Sequence, residues 1–226
     1  MTDRLASRPI APADGQPARL PRFKSRVVPV VVIENPRQAV PLAEALLAGG
    51  IDVIEITLRS EAALAAIEAV ARAVPAMCVG AGTLTRPEQV AETQRAGARF
   101  ALSPGATPAL LSAAAAAGMP FVPGVATASE AITARDAGFT LLKLFPAAAL
   151  GGVDLLRAWS SPLPELRFCP TGGVTVADLP RYLALANVAM VGGSWLTPAA
   201  ALRAGDWAEV TRLAREAVSA AGAPKS

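Results

Sequence analysis

The chain has 226 residues, of which 53% are hydrophobic and 17% are charged. This length suits one α/β barrel, a class that commonly forms a single domain of about 200–250 residues. The charge-free stretches 100–129 and 182–202 are interrupted by proline and glycine, which argues against membrane-spanning helices. No apolar segment near the N-terminus suits a secretory signal, so we expect a cytoplasmic protein without a membrane partner.

The net charge of +3 comes from the first 26 residues. They contain six basic and two acidic residues, a local excess of four, so the remainder carries a charge of minus one. We predict that residues 1–26 form a loose or irregular leader, with an organellar transit peptide as the alternative. Residues 27–226 are then one folded domain that ends in a C-terminal helix and offers no nucleic-acid-binding surface.

From residue 27 onward, helical stretches end in a glycine that a short apolar strand follows. Gly97, Gly118 and Gly138 are such glycines and lie 21 and 20 residues apart. This joint is typical of a βα repeat. It predicts eight strands, over residues 27–33, 53–57, 77–81, 100–103, 121–123, 140–144, 167–170 and 188–191. Helices are predicted between them, among others over residues 37–48, 61–73, 87–96 and 129–137. Eight alternating units predict an α/β fold, a single (β/α)8 TIM barrel with its chemistry at the carboxyl ends of the strands.

Lys143 is the only lysine between Lys24 and Lys225, and it lies among leucines in the predicted strand 140–144. Burial favours a neutral amine over an ammonium ion. A neutral amine attacks carbonyl carbons and forms Schiff bases. A core lysine that is paired with a carboxylate is the structural alternative.

Glu55 lies between two isoleucines, so its carboxylate needs a partner in the core. The chain has no histidine, the commonest general base, and Glu55 is therefore the candidate for proton transfer. A salt bridge to Lys143 is the structural alternative, and the two roles are compatible. Arg59 follows at the same strand end, where it either binds a substrate carboxylate or is an exposed loop arginine.

Two double-glycine turns follow the last two predicted strands, at residues 171–173 and 192–194. Barrels of this class frequently bind phosphate there through backbone N–H groups. Any tight turn uses glycine, but two such turns in consecutive loops favour a phosphate site. Cys78 and Cys169 lie in apolar segments without metal-ligand spacing, and we interpret both as core thiols.

Six segments in this order resemble the bacterial 2-keto-3-deoxy-6-phosphogluconate (KDPG) aldolase family, whose members often also act on 4-hydroxy-2-oxoglutarate. The segments are EITLR (55–59), GAGT (80–83), SPG (103–105), KLFPA (143–147), RFCPTGG (167–173) and GGSW (192–195). The resemblance extends from about residue 27 to near residue 218. It implies a class I aldolase in which Lys143 forms the Schiff base and Glu55 moves protons during carbon–carbon cleavage.

The resemblance also implies a set of substrate-binding residues: Arg59, Thr83, Pro104, Phe145, Thr171, Gly172, Gly173, Gly193 and Ser194. Arg59 and Thr83 would hold the pyruvate carboxylate, and the glycine turns with Ser194 would receive the phosphate. A homotrimer without a metal or organic cofactor is expected, acting on a small molecule.

Two alternatives remain. The first is a related Schiff-base aldolase for a galactonate-type or unphosphorylated 2-keto acid, from which mainly Thr171 distinguishes this chain. The second is a non-catalytic barrel that binds a phosphorylated ligand. A metal-dependent aldolase usually needs histidine ligands, which this chain lacks.

Overall fold

A computed structural model describes residues 17–222, in which short parallel strands alternate with helices. The strands are β1 (Val27–Val31), β2 (Val53–Thr57), β3 (Cys78–Gly82), β4 (Ala101–Leu102), β5 (Phe121–Val122), β6 (Gly124–Val125), β7 (Leu141–Leu144), β8 (Arg167–Phe168) and β9 (Val191–Gly193). The helices are α1 (Ala39–Ala48), α2 (Ala63–Ala73), α3 (Glu88–Arg95), α4 (Pro108–Ala116), α5 (Ala128–Asp136), α6 (Gly152–Trp159), α7 (Leu179–Leu183), α8 (Ala199–Ala204) and α9 (Trp207–Ala221).

The strands form two parallel sheets, which confirms the predicted α/β class. The larger sheet has six strands in the order β5-β4-β3-β2-β1-β9, and the smaller has the order β6-β7-β8. Only Pro123 separates β5 from β6, and proline has no N–H to donate to a ladder. Isolated parallel bridges pair Phe168 with Val188 and Thr171 with Gly192.

The helices pack their apolar sides onto the sheets. In α2, for example, Ala63, Ala66, Ile67 and Val70 are buried, whereas Arg72 and Glu68 pair in solvent. Side-chain caps mark where several helices begin. Thr127 and Glu130 form a capping box at the start of α5, and only two residues separate β6 from this helix.

The glycine joints are confirmed. Gly97, Gly118 and Gly138 have φ angles of 93°, 60° and 91°, a left-handed conformation that glycine adopts without steric cost. The predicted strand 188–191 begins too early, since β9 starts at Val191 and Val188 forms only an isolated bridge. The strand predicted over residues 121–123 is divided at Pro123 into β5 and β6.

The predicted leader falls partly outside the described residues, because residues 1–16 are not described. Residues 17–26 have no helix or strand but contact the domain. The backbone N–H groups of Lys24 and Ser25 donate to the Asp52 carboxylate at 2.8–3.0 Å. The Phe23 ring packs on Phe100 with centroids 6.2 Å apart. Within residues 17–222, no helix combines the length and the apolar character needed to cross a membrane.

Candidate active site

Lys143 and Glu55 form a buried ion pair. Lys143 Nζ donates to Glu55 Oε1 at 2.9 Å and to Oε2 at 3.3 Å. The two residues are 4% and 1% exposed. They lie on β7 and β2, which belong to different sheets, so the pair joins the two sheets through the interior. Taking two ions out of water costs several kcal/mol for each ion, and a close partner must offset that cost.

The glycines of the GAGT segment make room for neighbouring side chains. Gly82 pairs with Thr57 across β2 and β3, and a Cβ at Gly82 would overlap the Glu55 carboxylate. A Cβ at Gly80 would overlap the Phe100 ring. Gly82 therefore leaves room for the Glu55 carboxylate that reaches Lys143, and Gly80 leaves room for the Phe100 ring.

Phe145 lies beside the lysine. Its ring centroid is 5.6 Å from Lys143 Nζ, within the range of a cation–π contact. Gly172, with φ of 96°, lies against the same ring, since a Cβ at Gly172 would be 3.0 Å from Phe145 Cε2. Phe145 thus connects the end of β7 to the first double-glycine turn.

Arg59 lies at the exposed end of the segment that follows β2. Its Nε donates to Thr57 Oγ1 at 3.2 Å, and the buried Thr57 hydroxyl donates to Val31 O at 2.9 Å. Among residues 17–222, Arg59 makes no ion pair with an acidic side chain. Its two terminal nitrogens therefore remain available for an anion.

Thr83 follows β3 in an uncommon backbone conformation, with φ of 64°. The next residues are held by a buried amide: Gln89 Oε1 accepts from the N–H groups of Thr85 at 2.7 Å and Arg86 at 3.0 Å. Two bonds from one side chain fix the loop that carries Thr83.

Pro104 lies against the strand next to the lysine. Gly124 pairs with Lys143 across β6 and β7, and a Cβ at Gly124 would overlap the main chain of Pro104. The Gly124 N–H donates to Ser103 Oγ at 3.1 Å, and Ser103 is fully buried. The loop after β4 therefore packs on β6, the strand that pairs with the lysine strand β7.

The two double-glycine segments are neighbours. The prediction of a turn at 192–194 is wrong for Gly192 and Gly193, which form the carboxyl end of β9. Thr171 forms a bridge with Gly192, and a Cβ at Gly192 would overlap Thr171 Oγ1. The Trp195 ring covers Gly193, where any side chain would overlap it. Ser194 and Gly173 are exposed at the surface of the turns. Small residues let the segment after β8 approach β9 closely.

Cys169 is a buried thiol close to these turns. Cys78, the first residue of β3, is buried as well. Cys169 Sγ is 3.7 Å from Thr171 Oγ1. Burial raises the pKa of Cys169 to about 11, although the nearby Lys143 charge acts in the opposite direction. Burial likewise raises the pKa of Cys78 to about 11. Both thiols are neutral at pH 7, in agreement with their interpretation as core residues.

Contacts bring some of the predicted site residues together directly. They connect Lys143 with Glu55 and Phe145, Phe145 with Gly172, and Thr171 with Gly192. Arg59, Thr83 and Ser194 make no side-chain bond to the ion pair within the described range. They follow β2, β3 and β9, respectively. Sequence reasoning did not single out Thr57, Ser103 or Gln89. The sequence signal that could have identified them is a polar residue at the end of a predicted strand, as for Ser103.

Residues 17–222 contain no cluster of three or more Cys, Asp or Glu side chains with a geometry that suits a metal ion. The polar groups that the structure shows at the site are the Lys143 amine, the Glu55 carboxylate, hydroxyl groups and backbone N–H groups.

Comparisons with known proteins identify the family to which the chain belongs. Residues 22–213 match the family model of KDPG and KHG aldolases. The KHG/KDPG aldolase of Escherichia coli K12 is 52% identical over 195 residues, covering 86% of this chain and 92% of that protein. The 2-dehydro-3-deoxy-phosphogluconate aldolase of Dickeya dadantii is 52% identical over 197 residues, covering 87% and 92%.

Among solved structures, the KDPG aldolase of Legionella pneumophila superposes with a TM-score of 0.84 and 45% identity, covering 86% of this chain and 95% of that one. Its crystals hold pyruvate captured at low pH as a covalent carbinolamine intermediate. By the family model and by these identities over most of its length, the chain belongs to the KDPG and KHG aldolase family.

Proposed function

We propose that the protein is a class I aldolase that cleaves 2-dehydro-3-deoxy-6-phosphogluconate to pyruvate and glyceraldehyde 3-phosphate. The observation that carries this proposal is the buried contact of 2.9 Å between Lys143 Nζ and Glu55 Oε1. It brings an amine and a carboxylate together in a site where proton exchange between them is direct. The names of the relatives and the covalent pyruvate in the Legionella enzyme support the same chemistry.

Schiff-base formation begins with a proton transfer from the Lys143 ammonium to Glu55. The neutral amine adds to the C2 ketone of the substrate and forms a carbinolamine. Glu55 then returns the proton to the carbinolamine hydroxyl, which leaves as water, and an iminium ion remains on Lys143. Glu55 is again a carboxylate, so the charges balance before the bond is cleaved.

Carbon–carbon cleavage uses the iminium ion as the electron sink. Glu55 removes the proton of the C4 hydroxyl, the C3–C4 bond breaks, and its electrons move into the C2–nitrogen system as an enamine. The aldehyde leaves as glyceraldehyde 3-phosphate. The proton on Glu55 then moves to the enamine carbon C3, and hydrolysis of the resulting iminium ion releases pyruvate and Lys143.

The remaining predicted residues bind the two ends of the substrate. Arg59 has free guanidinium N–H groups and is fixed through Thr57, which suits a carboxylate in bidentate contact. Thr83 lies in the loop next to the Gly82–Glu55 contact and contributes to the same region. Pro104 and Phe145 shape the space beside Lys143.

The phosphate is assigned to the adjoining turns at residues 171–173 and 192–194. Their proximity through the Thr171–Gly192 bridge supports convergence of Gly172, Gly173, Gly193 and Ser194 on one anion. The same lysine chemistry needs no phosphate, so we also assign cleavage of 4-hydroxy-2-oxoglutarate to pyruvate and glyoxylate.

Family membership also supports a proposal for the finer architecture. We assign residues 27–226 to one closed (β/α)8 TIM barrel. Two observations support closure: a single residue separates β5 from β6, and bridges pair Phe168 with Val188 and Thr171 with Gly192. Residues 1–26 are assigned as the leader. The active form is assigned as a cytoplasmic homotrimer that needs no metal or cofactor.

The decisive experiment is borohydride reduction in the presence of pyruvate, followed by peptide mass mapping. We expect one reduced pyruvate adduct on Lys143 and loss of cleavage activity. Lys143→Arg keeps a positive charge next to Glu55 but cannot form the adduct, and Lys225→Gln serves as the control that still forms it. An adduct on Lys24 or Lys225, or no adduct, would overturn the Schiff-base proposal.

A further inference from the structure

A cavity of about 430 Å³ opens at the amino-terminal ends of β1, β8 and β9. Arg26 directly precedes β1, Arg167 is the first residue of β8, and Met190 directly precedes β9. The segment 171–173 follows the other end of β8, and Gly192 and Gly193 form the carboxyl end of β9, so the cavity and the proposed phosphate site lie at opposite ends of these strands. Small-molecule sites commonly have volumes of about 300–1,000 Å³, so this cavity is large enough for a ligand.

All charged side chains that line the cavity are basic. They are Lys24, Arg26 and Arg167, and the lining includes no carboxylate. The nearby Asp52 carboxylate accepts from the backbone N–H groups of Lys24 and Ser25. Within residues 17–222, none of the three basic side chains forms a salt bridge. The cavity therefore has a net positive lining without an internal counter-charge.

The two guanidinium groups are held in place by main-chain carbonyls. Arg26 Nη2 donates to Leu183 O at 3.3 Å, and Arg167 Nη1 donates to Ala186 O. A guanidinium has five N–H donors, so each of these contacts orients the group and leaves several donors for a ligand. The planar arrangement of those donors matches carboxylate and phosphate oxygens.

The rest of the lining is mainly apolar. Phe23, which packs on Phe100 at 6.2 Å, forms one side, and Val188 and Met190 are buried side chains on another. A ligand that consists only of an anionic group would leave this surface uncovered. An anionic group with a short apolar part would use both the charge and the apolar wall.

We propose that this cavity binds a small organic anion, with its acidic group on Arg26 and Arg167 and its apolar part against Phe23, Val188 and Met190. Because the cavity lies at the amino-terminal strand ends, its occupation leaves Lys143 free to react with pyruvate. The site is thus separate from the proposed catalytic site and does not depend on that assignment.

The test is a titration of the full chain, labelled with [methyl-¹³C]methionine, followed by NMR. Met190 reports on the cavity, and Met77 and Met119 are buried elsewhere and serve as internal references. Hexanoate is the probe, and neutral hexanamide and the shorter anion acetate are its controls. We expect a saturable shift of the Met190 methyl signal with hexanoate, and binding at least tenfold weaker with hexanamide and weaker with acetate.

Variants identify the groups responsible. Arg26→Gln and Arg167→Gln are each expected to weaken hexanoate binding by about tenfold to a hundredfold, the usual effect of losing a charge-assisted contact. Lys24→Glu keeps its backbone bonds to Asp52 and adds repulsion, so it tests the site without disturbing the arginine contacts. Arg203→Gln, which removes an exposed arginine on α8, is the control and should bind like the parent. Circular dichroism and unshifted Met77 and Met119 methyl signals establish that each variant is folded.

Three results would overturn the proposal. The first is a Met190 signal that does not move with hexanoate. The second is that a control binds as tightly as hexanoate. Equal binding of hexanamide would mean that the charge has no role, and equal binding of acetate would mean that the apolar residues have none. The third is unchanged hexanoate affinity in Lys24→Glu and in both folded arginine variants.

Discussion

Basic side chains lie at both ends of the parallel strands, but the protein holds them in opposite ways. Lys143 is 4% exposed, and Glu55 lies 2.9 Å from its ammonium group. At the amino-terminal ends, Lys24 and Arg167 are exposed and no acidic side chain pairs with them within the described range. Water solvates those charges at little cost, whereas the buried amine depends on one carboxylate.

The difference indicates what each end is suited to do. A buried amine next to a carboxylate can exchange its proton without solvent and then react as a nucleophile. An exposed guanidinium stays charged and is suited to binding anions. Reactivity is therefore expected at the carboxyl ends of the strands and electrostatic binding at their amino ends.

Glu55→Gln gives the largest expected effect on activity. The amide keeps the size of the side chain but cannot accept the C4 hydroxyl proton, and loss of a general base typically costs about 10²–10⁴-fold in rate. We expect cleavage to fall by this factor while borohydride still traps pyruvate on Lys143 in long incubations, more slowly than in the parent, because Schiff-base formation also loses its proton acceptor. Glu68→Gln makes the same chemical change in the exposed pair with Arg72 and is the control. Parent-like turnover by Glu55→Gln would place the base elsewhere.

Lys143→Met tests the energetic cost of the buried charge. It leaves the Glu55 carboxylate buried without its partner, and breaking such a pair typically lowers the free energy of unfolding by about 3–5 kcal/mol. Urea denaturation at pH 7 measures this loss. The double variant Lys143→Met/Glu55→Leu should recover much of it, because no charge is then left in the core.

Arg72→Met is the exposed counterpart, since it removes one partner of the Glu68 pair in solvent. Exposed pairs contribute little to stability, so a much smaller change is expected. Equal losses in Lys143→Met and Arg72→Met would contradict the contrast between buried and exposed charge.

Ser194→Asp tests the phosphate assignment at the carboxyl ends. A carboxylate there repels a phosphate, and losing a charge-assisted contact costs about 1.5–3 kcal/mol, roughly tenfold to a hundredfold in affinity. We expect this loss in kcat/KM for the phosphorylated substrate, and much of the activity on 4-hydroxy-2-oxoglutarate should remain. Ser112→Asp, on the exposed side of α4, is the control. Equal losses on both substrates would assign the glycine turns a structural role only.

The smallest expected effect is the alkaline dependence of stability that Cys169 causes. Burial raises its pKa from 9.0 to about 11, so above pH 9 the unfolded chain releases this proton before the folded protein does. The contribution to stability is complete below pH 9 and is lost as the pH rises toward 11. At pH 10 the loss is on the order of 1 kcal/mol.

The Cys169→Ala variant should lack this part of the pH dependence. The parent is therefore expected to lose more stability than Cys169→Ala when urea denaturation is repeated at pH 8 and pH 10. Parallel losses in the two proteins would show that the thiol ionises equally in the folded and unfolded states.

Local sequence patterns predicted most of the secondary structure. Glycines at helix ends marked the strand joints, because their left-handed φ is a property of the residue and its immediate neighbours. The patterns failed where pairing decides the boundary. Valine is common in strands, but Val188 forms only an isolated bridge with Phe168, and β9 begins at Val191.

The sequence alone determined the chemistry that is available to the protein: one lysine among leucines, one glutamate between isoleucines, and no histidine. Only the tertiary structure decided that these two side chains meet, since 88 residues and the arrangement of two sheets separate them. It also gave Gly82 its role, which is to leave room for the Glu55 carboxylate. The cavity at Arg26 and Arg167 has no sequence signal, because residues that are far apart in the chain line it. Burial and turn preferences act over a few residues, whereas such contacts depend on the packing of the whole fold.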